Sequence, residues 1–293
     1  MANYLSRRRF LTTVVGASTF AGLAGGSEVR TPTSGPSSEF EFPLLDLHVH
    51  LDNSTIDKVL ELPQARTVRF GIVEHAGTKE NKYPVVLSND SELTQFLAML
   101  ENKPVYRGVQ AEWTDWMGCF SKETASRLDY VLTDAMTFPG KDGKRVKLWE
   151  DDALERVGFT NAEDFMDRYV DWHVSIIENE PIDIMANMSW LPGPLARDYD
   201  RLWTESRMRK VIDAAVKNGM ALEISGSYKL PRLPFLKLAK AAGVKFSFGS
   251  NGRYPNMGKL DYCLEMARIL GLKKSDIFVP APDGQKAVQR RWK

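Results

Sequence analysis

The feature that most constrains this chain is a regular alternation between short β-rich apolar segments and segments of helical pattern. Apolar runs rich in β-branched and aromatic residues occupy residues 44–50, 68–76, 105–113, 128–135, 182–190, 220–226 and 245–252. Helical patterns that end at a glycine lie at residues 201–218, 234–242 and 258–271. This order is typical of parallel strands joined by crossover helices, so the sequence predicts an α/β fold.

A closed β/α barrel of about seven strands, a distorted TIM-like barrel, is the architecture that the strand count favours. An open doubly wound sheet is the alternative. No glycine-rich phosphate loop follows any of the runs, which disfavours the nucleotide-binding form of the open sheet. We therefore expect residues 41–293 to form one barrel domain, with a polar insertion at residues 137–165 that contains a loop and the start of a helix.

Composition excludes several functional classes. The 39 basic and 38 acidic residues give a net charge of +1, so nothing indicates a nucleic-acid partner or a polybasic membrane surface. The two cysteines, Cys119 and Cys263, are too few for a disulfide scaffold or a cysteine-rich zinc site, although one disulfide stays open. No apolar run is long enough to form an ordinary membrane-spanning helix.

The N-terminal residues follow a pattern of their own. Residues 6–11 read SRRRFL and precede a mildly apolar stretch that ends in small residues near position 24. This resembles a twin-arginine export signal, so residues 1–24 are interpreted as a signal peptide and residues 25–40 as a flexible linker. The interpretation makes the twin-arginine (Tat) machinery a partner and predicts a periplasmic or otherwise extracytoplasmic protein, exported in folded form.

Polar residues gather where the predicted strands end, which is where β/α barrels hold their reactive groups. The first strand ends in DLHVH at residues 46–50. Residues two apart on a strand face the same side, so His48 and His50 can reach one metal ion. The later strand ends carry Glu74, His75, Glu112, Asp134, Asn187, Glu223, Asn251 and Arg253. The fourth histidine, His173, lies in a helical pattern and is interpreted as structural.

In this order the segments resemble the motifs of the polymerase and histidinol phosphatase (PHP) superfamily, whose members are metal-dependent phosphoesterases. Residues 46–50 resemble the first motif, Asp-x-His-x-His, and residues 71–75 resemble the second. Residues 108–112 are similar to the third, in which a glutamate bridges two metals, and residues 248–253 resemble the last. The segments 128–132, 182–186 and 222–225 resemble the strands between them. The resemblance spans about residues 44–270 and implies a seven-stranded β/α barrel.

The resemblance also implies a reduced metal site, because four positions depart from the family pattern: Met136, Asn187, Asn251 and Arg253. A thioether is a poor ligand for hard or borderline divalent metals, and a guanidinium cannot ligate at all. The metal ligands that remain by this resemblance are His48, His50 and Glu112, with Asn251 as a weak fourth group. We expect them to hold one divalent ion, Zn²⁺, Mn²⁺ or Mg²⁺, or none.

The leading hypothesis is a metal-dependent hydrolase that acts on a small anionic substrate, such as a phosphate ester. Its candidate catalytic residues are Glu74, His75, Asp134 and Arg253, and its candidate substrate-binding residues are Asn187, Arg253 and Glu223. One alternative is an inactive barrel that binds an anionic small molecule. Another is an amidohydrolase-type metal enzyme, although the further histidines that such enzymes use are missing here. The last is an interaction domain whose strand-end residues form ion pairs.

Overall fold

The computed structural model describes residues 40–52 and 54–293. The predicted signal peptide, residues 1–24, and the predicted linker up to residue 39 lie outside this part of the chain. The strands are β1 (Leu45–His50), β2 (Arg69–Ala76), β3 (Val86–Leu87), β4 (Tyr106–Ala111), β5 (Tyr130–Asp134), β6 (Thr137–Pro139), β7 (Arg145–Lys147), β8 (Ile184–Ala186), β9 (Ala221–Ser225), β10 (Phe246–Gly249) and β11 (Gly252–Arg253).

The helices surround these strands. They are α1 (Ile56–Leu60), α2 (Asp90–Met99), α3 (Lys122–Ala125), α4 (Ala153–Arg156), α5 (Ala162–Asn179), α6 (Gly193–Ala196), α7 (Tyr199–Leu202), α8 (Glu205–Asn218), α9 (Leu233–Ala241), α10 (Asp261–Leu270) and α11 (Ala287–Arg290). Within residues 40–52 and 54–293, none of them has the length and apolar character needed to cross a membrane.

Parallel strands form a nearly closed barrel. Their hydrogen-bonded order is β10-β9-β8-β5-β4-β2-β1-β11, and β10 also lies against β1, which brings the two ends of the sheet together. The seven predicted apolar runs contain β1, β2, β4, β5, β8, β9 and β10. The structure therefore confirms the predicted TIM-like barrel in place of the open sheet, and the two-residue β11 adds an eighth strand.

Two apolar cores stabilise the barrel. The smaller one fills its interior and consists of Leu45, Leu47, Val73, Tyr130, Leu132, Ile184, Ala186 and Ala221. The larger one lies between the strands and the surrounding helices. Helix α8 illustrates how the sequence builds this outer layer: its buried residues Val211, Ile212 and Ala215 recur at helical spacing, and the helix ends at Gly219, whose φ is 65°.

The polar insertion folds into more than the predicted loop and helix start. Strands β6 and β7 form an antiparallel hairpin in which Thr137 pairs with Lys147, and α4 follows it. Its turn contains Gly143 with φ of 73°, a conformation that a glycine adopts without steric cost. The hairpin brings two cations towards the barrel mouth. Arg145 donates a hydrogen bond to Glu112, and the Lys147 ammonium lies 3.9 Å from the centre of the Tyr83 ring.

Tyr130 fills the barrel interior because two neighbouring strands carry glycine beside it. Its hydroxyl donates a hydrogen bond of 2.8 Å to the carbonyl oxygen of Leu47. A Cβ atom at Gly108 would lie 2.6 Å from Tyr130 Cζ, and one at Gly71 would lie 2.3 Å from the Tyr130 hydroxyl oxygen. These glycines are required for close packing, not for a special backbone angle.

We expect Gly108→Ala to lower the free energy of unfolding by about 1–3 kcal/mol, because the added methyl group forces the buried Tyr130 ring from its position. Thermal and urea unfolding measure the loss. The control is Gly118→Ala, since a Cβ at exposed Gly118 meets nothing within 4 Å. Equal stability of the two variants would show that the barrel interior has room for the methyl group.

Candidate metal and anion site

A bulge in β1 sets the direction of its side chains. Asp46 pairs with Phe70 and Val49 pairs with Ile72, so Leu47 and His48 together lie opposite the single residue Gly71. Because of the extra residue, Leu47 packs in the barrel interior and His48 and His50 also face the barrel mouth. Their ring centres lie 5.3 Å apart, as the sequence spacing led us to expect.

Asp46 lies on the other side of β1 and holds the loop that follows β10. Its buried carboxylate accepts hydrogen bonds of 2.8 Å and 2.5 Å from the backbone and the hydroxyl of Ser250, and one of 2.8 Å from the Gly258 backbone. Burial raises the pKa of Asp46, and the lowering by these hydrogen bonds is smaller, so the pKa stays above its usual value. The contacts fix the loop that carries Asn251 and Arg253.

Both ring nitrogens of His48 have partners. Nδ1 lies 2.7 Å from a Glu223 oxygen and Nε2 lies 3.0 Å from the Gln110 oxygen. Burial lowers the pKa of His48, but the Glu223 carboxylate and the hydrogen bonds outweigh it, so the pKa is raised above its usual value. Gln110 was not singled out in the sequence. Its position two residues before Glu112, on the same strand face, is the signal that could have identified it.

Asn187 and Glu223 lie beneath the site and bind to each other. The Asn187 backbone donates a 3.4 Å hydrogen bond to Glu223, and the Asn187 side-chain oxygen accepts one of 2.9 Å from the Ser225 hydroxyl. Asn187 has a φ of 50°, which an asparagine tolerates better than most residues. Neither side chain lines the cavity at the barrel mouth. Glu223 holds His48 through Nδ1, whereas Asn187 contacts Glu223 and Ser225 and its Nδ2 has no partner in the described part of the chain.

His50, His75 and Tyr83 form a stack of rings. The ring centres of His50 and His75 lie 4.6 Å apart at 18°, and those of His75 and Tyr83 lie 3.7 Å apart at 13°. Glu112 orients the ring of His75 by accepting a 2.5 Å hydrogen bond from His75 Nδ1. Although burial raises the pKa of Glu112, the contacts with His75 and Tyr83 prevail and lower it. A charged Glu112 thus fixes His75 with Nε2 available.

Four buried atoms that could ligate a metal lie beside this stack and have no hydrogen-bond partner in the described part of the chain. They are Nδ1 and Nε2 of His50, Nε2 of His75 and Oδ1 of Asp52. One ligand atom from each of these three residues lies within 4.8 Å of the others, close enough to hold a metal ion. Burial lowers the pKa of His50 well below its usual value, which keeps the ring neutral, as ligation requires.

Asp52 is the residue of this triad that the sequence did not reveal. It lies just beyond β1, with a φ of 44°, and its other carboxylate oxygen accepts a 2.6 Å hydrogen bond from Nε of Arg253. The available signal was its spacing, two residues after His50 at the carboxyl end of the same strand. The predicted ligand set of His48, His50, Glu112 and Asn251 thus overlaps the observed triad only at His50.

A polar cavity of about 360 Å³ opens beside the triad. It is lined by His75, Tyr83, Gln110, Asp134, Met136, Trp149, Tyr228, Asn251 and Arg253. The Arg253 side chain is 44 % exposed. Its Nη1 donates to both the backbone and the side-chain oxygen of Asn251, at 3.1 Å each. The Asn251 amide oxygen therefore already accepts a hydrogen bond from Arg253. The Nη2 atom of Arg253 can still donate hydrogen bonds in the cavity.

Asp134 also lines this cavity. One carboxyl oxygen accepts a 2.9 Å hydrogen bond from the Met136 backbone and the other accepts a 3.0 Å hydrogen bond from the Gln110 amide. Burial, with the negative charge of Glu112 nearby, raises the pKa of Asp134 to about 7. At neutral pH this carboxyl group is thus present in both protonation states.

Glu74 lies apart from the other predicted site residues. It neighbours His75 on β2, and adjacent residues of a strand point to opposite faces. Its side chain accepts a 3.2 Å hydrogen bond from the Leu51 backbone and lines a separate cavity. Burial raises the pKa of Glu74 to about 7. His173, interpreted as structural, is buried in α5, where Nδ1 lies 2.7 Å from the Tyr169 carbonyl oxygen.

No protein-family model matches the sequence, and no curated protein matches it either. The structure is similar to a histidinol phosphate phosphatase from Lactococcus lactis subsp. lactis Il1403, solved in complex with zinc, L-histidinol and phosphate. The TM-score is 0.52 at 15 % identity, over 85 % of this chain and 98 % of that one. At this identity the likeness shows a shared barrel fold.

An HpcH/HpaI aldolase from Desulfitobacterium hafniense DCB-2 aligns with a TM-score of 0.34 at 10 % identity, over 82 % of this chain and 96 % of that one. That score is too low to indicate a common fold. Of these two structures, only the phosphatase therefore supports the fold. The chemistry of the site follows from the residues of this chain.

We expect Glu223→Ala to lower the free energy of unfolding by about 3 kcal/mol, because it leaves His48 Nδ1 and the Asn187 backbone buried without an acceptor. Glu223→Gln retains an acceptor, so its loss should be near 1 kcal/mol. Urea unfolding measures both, with the exposed Glu205→Ala as control. If alanine and glutamine at position 223 cost the same, the hydrogen bond to His48 does not stabilise the site.

Proposed function

We propose that this protein is a metal-dependent hydrolase of the phosphoesterase type, acting on a small anionic substrate in the cavity beside the His50, Asp52 and His75 triad. The observation that carries the proposal is the set of unpaired, buried donor atoms on these three residues. The zinc and phosphate in the structurally similar phosphatase support the same class of chemistry.

The triad fits a divalent metal ion. Buried polar atoms without partners are costly, so a fold that retains four of them together favours a ligand that satisfies them. Two imidazoles and one carboxylate suit Zn²⁺, and Mn²⁺ less strongly, whereas Mg²⁺ prefers oxygen ligands. Bound there, the ion would supply Lewis acidity beside the cavity. The match is therefore best for zinc.

Three further residues have roles that follow from their contacts. In Arg253, Nε and Nη1 are engaged by Asp52 and Asn251, so Nη2 remains to donate hydrogen bonds to a phosphate or carboxylate in the cavity. Asp134 has a pKa of about 7, so it can accept a proton from water or give one to a leaving group near neutral pH. Glu112 fixes the ring of His75 through Nδ1, as partners of metal-ligating histidines commonly do.

An inactive barrel that binds an anion is the second candidate, and one observation favours it. His48 is engaged through both nitrogens, and the Asn251 oxygen is taken by Arg253. Glu112 accepts hydrogen bonds from His75 and Arg145 as well, so three of the four ligands expected from the family resemblance are engaged by protein groups. In this second reading Arg253 binds the anion and no bond is broken.

Metal content and turnover separate the two candidates. We expect protein purified without chelator to contain about one zinc ion per chain, and His50→Ala or Asp52→Asn to lose most of it, because each change removes one donor of three. Elemental analysis measures the zinc, and the exposed Asp151→Asn is the matched control. Hydrolysis of an aryl phosphate should decline with the zinc.

The outcomes have distinct meanings. Zinc that depends on the triad, without turnover of any of several phosphate esters, would favour the anion binder. Zinc that stays bound in both triad variants would place the metal elsewhere. Protein that takes up no zinc would contradict the hydrolase proposal.

We further propose that the protein is exported in folded form through the twin-arginine route, which the SRRRFL sequence at residues 6–11 supports. In a bacterium with that route, the full chain should reach the periplasm, and the double variant Arg7→Lys/Arg8→Lys should stay in the cytoplasm. Cell fractionation and immunoblotting measure this, with Arg30→Lys as control. Equal distribution of all three proteins would contradict export by this route.

A further inference from the structure

A second cavity, of about 450 Å³, lies on the side of β2 that faces away from the histidine stack. Helix α2 and the segment around β3 form its apolar wall, which includes Val85, Val86, Phe96 and Met99. Met99 is 44 % exposed and the Lys79 side chain, also in the lining, is 61 % exposed. The cavity therefore reaches the protein surface.

The lining of this cavity contains a buried carboxylate that has no ion-pair partner among the described residues. Three carboxylates line the cavity. Asp52 pairs with Arg253 and Glu92 pairs with Lys79, whereas Glu74 has no ion pair in the described part of the chain. Glu74 is only 3 % exposed, and its Oε2 has no hydrogen-bond partner. Because an unsatisfied buried carboxylate oxygen is costly, the site favours a ligand that donates to it.

Two other acceptor atoms in the lining share this property. Oγ of Ser54 and Oδ1 of Asp52 are buried and have no partner among the described residues. An ammonium group has three donors and no acceptor, so it complements this set better than a hydroxyl or an amide does. The lining carries three carboxylates against the single cation of Lys79, which also favours a positively charged head group.

We propose that this cavity binds a primary alkylammonium compound, with its ammonium group at Glu74 and its apolar chain along Phe96 and Met99. The buried acceptors and the apolar wall are parts of one cavity, and together they define an amphiphilic cation. The carboxylate that carries this inference, Glu74, is not part of the metal triad, and only Asp52 Oδ1 is shared by the two proposed sites. The two proposals can therefore be tested separately, at Glu74 and at His50.

The test is calorimetric titration of the full chain with hexylammonium, ethylammonium, hexanol and hexanoate. We expect hexylammonium to bind most tightly, with a gain of roughly fourfold in affinity for each methylene group that becomes buried. Glu74→Gln should weaken hexylammonium binding at least about tenfold, since it removes the charge but keeps the shape. The exposed Glu101→Gln is the matched control and should bind as the unmodified chain does.

A second variant keeps the test decisive if Glu74→Gln does not fold. Met99→Ala should weaken hexylammonium binding several-fold and leave ethylammonium unchanged, because it shortens only the apolar wall. Hexanol binding as tightly as hexylammonium, or unchanged affinity in Glu74→Gln, would overturn the proposal. So would displacement of hexylammonium by zinc in the His50→Ala variant, which would assign the acceptors to a metal. Zinc content of the unmodified chain tests the hydrolase separately.

Discussion

The arrangement of the site depends on one buried carboxylate, Asp46. It joins the first strand of the barrel to the loop after β10, through hydrogen bonds to Ser250 and Gly258. Because that loop carries Arg253, the same contacts place a guanidinium beside the carboxylate of Asp52. A buried charge needs several donors to be stable, and the donors available here come from the far end of the chain. The same hydrogen bonds therefore join the two ends of the barrel and position the residues of the site.

The hydrogen bonds around His48 are saturated, in contrast to the unpaired ligand atoms of His50, Asp52 and His75. Glu223 and Gln110 satisfy both nitrogens of His48, and Gln110 in turn donates to Asp134. Both ring nitrogens of His50 and the Nε2 atom of His75 have no hydrogen-bond partner within residues 40–52 and 54–293. The proposed function rests on this difference, because satisfied groups hold a structure in place whereas unsatisfied ones favour a ligand. Two histidines of the same strand thus differ: His48 is held by protein groups, and His50 is a ligand in the metal site that we propose.

Much of the fold and part of the site could be predicted from the sequence. The seven apolar runs gave seven barrel strands because a strand covered by helices must be apolar on both faces. The proximity of the His48 and His50 rings, whose centres lie 5.3 Å apart, was predicted from their spacing in the sequence. The hairpin of β6 and β7 was missed, since its strands are three residues each and carry little pattern. Asp52 was missed because it lies beyond the strand, where its spacing from His50 does not by itself fix the direction of its side chain.

Local sequence determined which segments are strands, which residues end them, and that three of the four histidines gather at one end of the barrel. Only the tertiary structure decided which of their ring nitrogens have a hydrogen-bond partner in the described part of the chain. His48 and His50 have the same spacing signal, yet Glu223 from β9 occupies His48 and nothing in the described chain occupies His50. The physical reason is that hydrogen-bond satisfaction depends on groups more than a hundred residues away, whose approach the barrel closure sets.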